Sequence, residues 1–324
     1  MVEIGATRQG TADAWTLCMT LPRRVVPGQT VFVTRRTLRR HLLFRPDPEL
    51  NGLFLYLVAF FAKKFSIQLS AIQVLSDHVH AVLTDTRGVL PDFLRELHRV
   101  LALCVKVLRK WEGPVWEPGS VSVVELLTAQ GEAQQMVYTW LNVVRAGLVR
   151  DPRDWPGVTT GLDELDGPGI VARRPSVFLD EHSELWPEQV ELRVSLPPRL
   201  AELGPERARE LLRAELERQL AQARAEVRDK GWQLVGARRC RQVSPYGRAT
   251  SWEPLRSRNP VLAAGRGLRA LLREGIASLR KFRRSYCEAL ARWREGMRAV
   301  LFPYGTWWMV KHHRASMALP EPAR

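Results

Sequence analysis

The stretch 47–83 constrains the fold more than any other part of this 324-residue chain. Asp47 is a good helix cap, Pro48 suits a first helical position, and apolar residues run on from there to Phe65. Residues 67–74 follow at once and are rich in β-branched side chains, which favour a pleated strand. A further strand is expected at 81–83, past Ser76-Asp77-His78-Val79-His80, and an earlier one at 31–34. Pro91 opens an amphipathic helix in which Leu94, Leu97, Leu101, Cys104 and Leu108 recur at helical spacing. Residues 121–127 read as another strand, and 131–146 as a helix that Gly147 can end. Helices alternating with strands in this way predict an α+β domain with an antiparallel or mixed sheet.

Texture divides the chain further. Residues 1–158 form the α+β domain, and 159–200, where prolines, glycines and acidic side chains gather, have the composition of a linker or surface wrap. Residues 201–324 are expected to form a basic, mainly helical C-terminal domain, with a strongly charged helix over 205–230 and another over 267–296. Charge then narrows the partner: 49 Lys and Arg against 34 Asp and Glu leave a net charge of +15, a field that attracts polyanions such as nucleic acid. Cys18, Cys104, Cys240 and Cys287 are scattered without metal-finger or disulfide spacing. The longest greasy run, 53–62, is too short to span a bilayer, and the first ten residues lack the apolar core of a signal peptide. A cytoplasmic, reducing location is expected, with no membrane partner.

His78-Val79-His80 is the sharpest chemical signal. On a strand, side chains at i and i+2 point to the same face, so the two imidazoles stand side by side while Val79 turns to the core. Two neutral imidazoles make half of a metal site, although an isolated pair of this kind is ordinarily two surface histidines. Tyr138 and Asn142 lie four residues apart on the 131–146 helix and share a face. Taken alone, Tyr138 is more often half-buried packing among Met136, Val137 and Leu141. Beside a metal ion, a tyrosine hydroxyl can attack a phosphodiester and form a covalent phosphotyrosine, and Asn142 offers an oxygen ligand one turn away. His98 reads as a structural histidine, and Asp85 and Glu125 are candidates to orient a ligand from behind.

The order Ser76-Asp77-His78-Val79-His80, a helix, Trp116, then 138–149 (Tyr138-Thr139-Trp140-Leu141-Asn142 through Arg145-Ala146-Gly147) and Trp155-Pro156 resembles the REP-associated tyrosine transposases of the HUH superfamily. The resemblance covers roughly residues 20–160. It implies an HUH-type antiparallel sheet flanked by helices, with His78, His80 and Asn142 binding Mg²⁺ or Mn²⁺. It also implies that Tyr138 is the nucleophile, retaining the 5′ phosphate of cleaved single-stranded, hairpin-associated DNA, in a protein that works as a monomer. Two positions depart from the family's habit: Val143 stands where a proline is usual, and Asp77 replaces a frequent asparagine. Neither is a ligand or the nucleophile. Arg145, Arg238, Arg239 and Arg241 are the candidate DNA-binding residues, the last three with Trp232 and Tyr246 close by in sequence. The competing expectation is a domesticated DNA-binding protein of the same fold that recognises sequence or hairpin without cutting.

Overall fold

The computed structural model describes residues 21–176, 179–250 and 260–320. Cys18 and the segment read for a signal peptide lie outside them. The chain divides into two compact units, Pro27–Leu272 and a smaller one built from Met1–Val26 with Arg273–Arg324.

The larger unit begins with β1 (Gln29–Arg36), α1 (Pro48–Phe65), β2 (Ile67–Val74), β3 (His78–Asp85), α2 (Leu90–Arg109), β4 (Ser122–Leu126) and α3 (Ala129–Arg145). Local chemistry sets these boundaries. Asp47 accepts a hydrogen bond from the Leu50 amide at 3.0 Å and so caps α1, and Ser66 ends it in the left-handed region. Thr128 caps α3 in the same manner, accepting from the Gly131 amide at 3.0 Å. Gly147, with φ of +67°, supplies the left-handed turn beyond α3.

Strands β2, β3, β1 and β4 are antiparallel neighbours in that order, with Thr34 opposite His80 and Arg36 opposite His78. Alternation sorts their side chains to two faces. Val33, Val79, Ala81 and Leu83 meet Phe54, Val58, Phe93 and Leu97 of α1 and α2 around a small apolar cavity. Phe32, Thr34, His78 and His80 point to the opposite face, where α3 lies. The result is the expected α+β arrangement, a mainly antiparallel sheet flanked by helices.

The later chain holds β5 (Ile170–Arg173), β6 (Gln189–Leu192), α4 (Pro198–Ala201), α5 (Pro205–Asp229), α6 (Ala237–Gln242) and β7 (Leu262–Ala263). Its placement differs from the division that texture suggests. Segment 159–200 is more than a linker: β5 and β6 pair with each other, Trp186 packs on Phe60 of α1 at 4.7 Å, and Val194 bridges Leu69 at the edge of β2. Its apolar residues Leu165, Leu192 and Val194 are buried in the same core as the first strands. Nor does residue 201 open a separate domain. Helix α5 belongs to the larger unit and lies against α3, burying Ala208, Leu212 and Ala223. Sequence reading also missed β7, which adds to β4 in parallel as a fifth strand. It does so across a close approach: Gly265, at φ +86°, lies so near that a Cβ there would sit 3.0 Å from the Gly131 nitrogen.

The smaller unit contains most of α7 (Arg269–Arg294), then β8 (Leu301–Phe302), α8 (Trp308–His313) and β9 (Ser316–Met317), the two short strands pairing in parallel. Phe302 is fully buried against Tyr286 and Trp293. No helix among the described residues is long and apolar enough to cross a membrane.

Candidate active site

Antiparallel register brings the site together. His78 and His80 leave β3 on one face, with ring centroids 4.8 Å apart, and α3 crosses that face carrying Asn142 and Tyr138. Asn142 reaches both imidazoles: its Nδ2 lies 3.1 Å from His80 Nε2 and its Oδ1 lies 3.4 Å from His78 Nε2. Tyr138, one turn earlier, meets the edge of the His80 ring at 5.8 Å and the Phe32 ring at 5.9 Å. All four residues picked from the sequence therefore converge on one point of the sheet.

The other nitrogen of each imidazole is anchored. His78 Nδ1 is 2.6 Å from Asp77 Oδ1, and His80 Nδ1 is 2.9 Å from Thr34 Oγ1. Arg40 holds the second Asp77 oxygen at 2.8 Å. Burial opposes charge on Asp77, but His78 and Arg40 outweigh it and hold this carboxyl well below the ordinary range. For His80 the largest influence is burial, reinforced by His78 and Arg36, and together they push its pKa well below that of a free imidazole. His80 is therefore neutral. Since its Nε2 accepts from the Asn142 amide, its proton sits on Nδ1 and is donated to Thr34.

This donor set fits a divalent cation. His78 Nε2 faces the Asn142 carbonyl oxygen at 3.4 Å, a contact that needs a proton or a metal ion between the two atoms. Anchored Nδ1 atoms and inward-facing Nε2 atoms are the usual arrangement of metal-ligating histidines. Among the described residues no three His, Cys, Asp or Glu side chains gather as a metal cluster; the polar group that meets both imidazoles is the Asn142 amide.

Thr34, Phe32 and Arg40 escaped sequence reading, and Asp77 was noted only as a departure from the family's asparagine. Thr34 and Phe32 come from β1, more than forty residues before the histidines, and only strand pairing brings them in. Phe32 lies flat against His80, with centroids 5.2 Å apart and planes 11° off parallel. Other candidates stand apart. Asp85 spends its oxygens on the amides of Val89 and Leu90 at the start of α2, and Glu125 sits opposite Val31 on β4. His98 is buried beside Arg35 and Trp116, a structural histidine.

Of the basic candidates, Arg145 lies at the site itself, 5.6 Å above the Tyr138 ring. Its guanidinium is engaged by α5, with Glu226 at 3.2 Å and Gln219 at 3.2 Å. Arg238, Arg239 and Arg241 are exposed on α6.

No family model and no curated protein matches the sequence. Among solved structures, the chain is similar to a REP-associated tyrosine transposase bound to a REP hairpin, at 18% identity and a TM-score of 0.39, over 45% of this chain and 85% of that one. It is also similar to a protein from Deinococcus radiodurans R1 described as a candidate transposase, at 25% identity and a TM-score of 0.27, over 33% of this chain and 85% of that one.

Proposed function

We propose that the protein is a metal-dependent endonuclease and strand transferase that cuts single-stranded, hairpin-associated DNA through Tyr138. The observation that carries this reading is the convergence of two anchored imidazoles, one amide oxygen and one tyrosine ring on a single face of the sheet. A binding protein needs phosphate contacts but has no use for two anchored imidazoles gathered with an amide beside a tyrosine. His78, His80 and Asn142 would hold Mg²⁺ or Mn²⁺, which supplies a positive charge that polarises the scissile phosphate. An imidazole-rich set favours Mn²⁺ over Mg²⁺.

In the reaction the Tyr138 oxygen bonds to phosphorus and the P–O3′ bond breaks. The 5′ phosphate stays on the tyrosine and the departing strand leaves with a 3′ hydroxyl. The phenol proton is given up and one proton is taken by the 3′ oxygen, so the step is a proton-neutral transesterification and conserves a bond energy that rejoining can use. Thr34 and Asp77 keep the imidazoles oriented throughout. The hairpin carried by one of the similar structures supports a hairpin substrate here. Incubation with hairpin-bearing single-stranded DNA and Mn²⁺, followed by a denaturing gel, should give a covalent protein–DNA band that EDTA and His78→Ala both abolish. Full activity of His78→Ala in EDTA would overturn the metal reading.

A further inference from the structure

Residues 231–249 form a strap whose two ends are tied to the loops that frame the site. At one end, the amides of Val235 and Gly236 donate to the carbonyls of Gly147 and Leu148, directly beyond the tyrosine-bearing α3, at 3.0 and 2.8 Å. At the other, the Leu42 amide donates to Gly247 at 2.8 Å and the Ala249 amide to Arg40 at 3.0 Å. That second loop is the one that holds Asp77: Arg40 binds its carboxylate, and the Thr37 amide donates to its carbonyl at 2.9 Å. The strap therefore runs along the border of the His78–His80–Tyr138 face.

Its short helix α6 has a clear polarity. Cys240 is buried, while Arg238, Arg239 and Arg241 are exposed. None of the three makes an ion pair among the described residues, whereas on α5 Arg207, Arg218 and Arg224 each face a carboxylate. Three adjacent, uncompensated cations repel one another, and a chain of phosphates relieves that repulsion. Each end of the strap also shows an aromatic ring: Trp232 is 44% exposed and Tyr246 52% exposed. Tyr246 stacks beside Trp111, with centroids 6.4 Å apart and planes 21° off parallel, and its hydroxyl is fixed to the Arg109 carbonyl at 2.7 Å. A fixed ring offers a base its face at little entropic cost.

We propose that this strap is a binding rail for single-stranded DNA, with phosphates on Arg238, Arg239 and Arg241 and bases on Trp232 and Tyr246. Cations in the middle of one segment and a ring at each end match a flexible single strand, whose bases are free to stack on aromatic faces. The proposal rests on the reading of the neighbouring site for its choice of DNA, but not on cleavage.

The test uses the full chain in EDTA, so that binding is read without chemistry, with fluorescein-labelled (dT)15 as the probe in anisotropy titrations across a range of NaCl. A single strand releases about 0.7 counterion per phosphate neutralised. Replacing all three arginines by alanine should therefore lower the slope of log K against log salt by about 2, and weaken binding at 0.1 M NaCl by about 100-fold. The triple lysine variant should keep the slope. Trp232→Leu, which keeps an apolar side chain but loses the ring, should weaken binding at least about fivefold with the slope unchanged. If circular dichroism shows the alanine variant unfolded, the triple glutamine variant takes its place. Unchanged affinity and slope in the charge-free variant would overturn the rail, as would a larger loss toward (rU)15 than toward (dT)15. Because these titrations contain no metal, their failure is separate from a failure of wild-type protein to form the covalent band in Mn²⁺.

Discussion

Thr34→Val removes one oxygen from the site and keeps a β-branched shape that suits a strand. In the wild-type protein Thr34 Oγ1 lies 2.9 Å from His80 Nδ1, and His80 is only 6% exposed. The hydroxyl fixes the proton on Nδ1 and keeps Nε2 unprotonated, an acceptor for the Asn142 amide here and for the proposed cation once that contact gives way. Valine leaves a buried N–H without a partner, at a cost of about 1–3 kcal/mol, or lets the proton move to Nε2, where it blocks metal binding. Removing an outer partner of a metal-ligating histidine typically weakens binding about 10- to 100-fold, and the desolvation figure gives the same range, since about 1.4 kcal/mol is one decade. The assay is free Mn²⁺ measured by electron paramagnetic resonance during titration of DNA-free protein. Thr34→Val should bind Mn²⁺ within that weaker range, Thr34→Ser should bind as wild type does, and excess Mn²⁺ should restore covalent adduct formation in the valine variant. Wild-type affinity in Thr34→Val would refute the assignment of the proton to Nδ1 and of Nε2 to the metal.

Tyr138→Phe keeps the ring contacts with His80 and Phe32, so it should bind hairpin DNA within about twofold of wild type and form no adduct on a denaturing gel; a phenylalanine variant that still cuts would remove Tyr138 from the chemistry. Glu226→Gln releases the Arg145 guanidinium held over the Tyr138 ring, and should slow adduct formation at saturating DNA by roughly tenfold while DNA affinity holds. That pair is partly exposed, so its loss should cost no more than about 1 kcal/mol of stability, and a melting curve collapsed by Glu226→Gln would show a structural role instead. Gly265→Ala combines a backbone at φ +86° with a Cβ 3.0 Å from the Gly131 nitrogen; it should destabilise by more than about 1 kcal/mol in thermal melts, and an unchanged melting temperature would mean that β7 is not held as described.

What could be read in advance follows from the range of the forces involved. Helix α1 was legible to the residue because a cap, a proline and an apolar run act within a few positions. The His78/His80 pair and the Tyr138/Asn142 pair were legible because each lies within one element, whose periodicity fixes a shared face. Thr34 carried no such signal, since its role exists only after β1 pairs with β3. Segment 159–200 misled for a related reason: its prolines and glycines describe its turns, while its hold on the fold comes from Val194 meeting Leu69 and Trp186 meeting Phe60. Arg145 illustrates the limit of charge reading. An arginine beside Tyr138, the proposed nucleophile, suggests a phosphate contact, yet Glu226, 81 positions later, already faces it.

The seating of α5 on α3 bears on how the molecule can be taken apart. Ala208, Leu212 and Ala223 are buried there, and Gln219 donates to the Gln134 carbonyl at 3.1 Å. A chain ended at residue 200 would bare the back of the tyrosine helix to water and lose the partners of Arg145. Such a truncation, the natural choice from texture alone, should aggregate rather than yield a smaller folded protein, whereas one ended at 272 keeps that helix covered. The histidine-bearing face and its late-arriving helix therefore stand or fall as one folded piece.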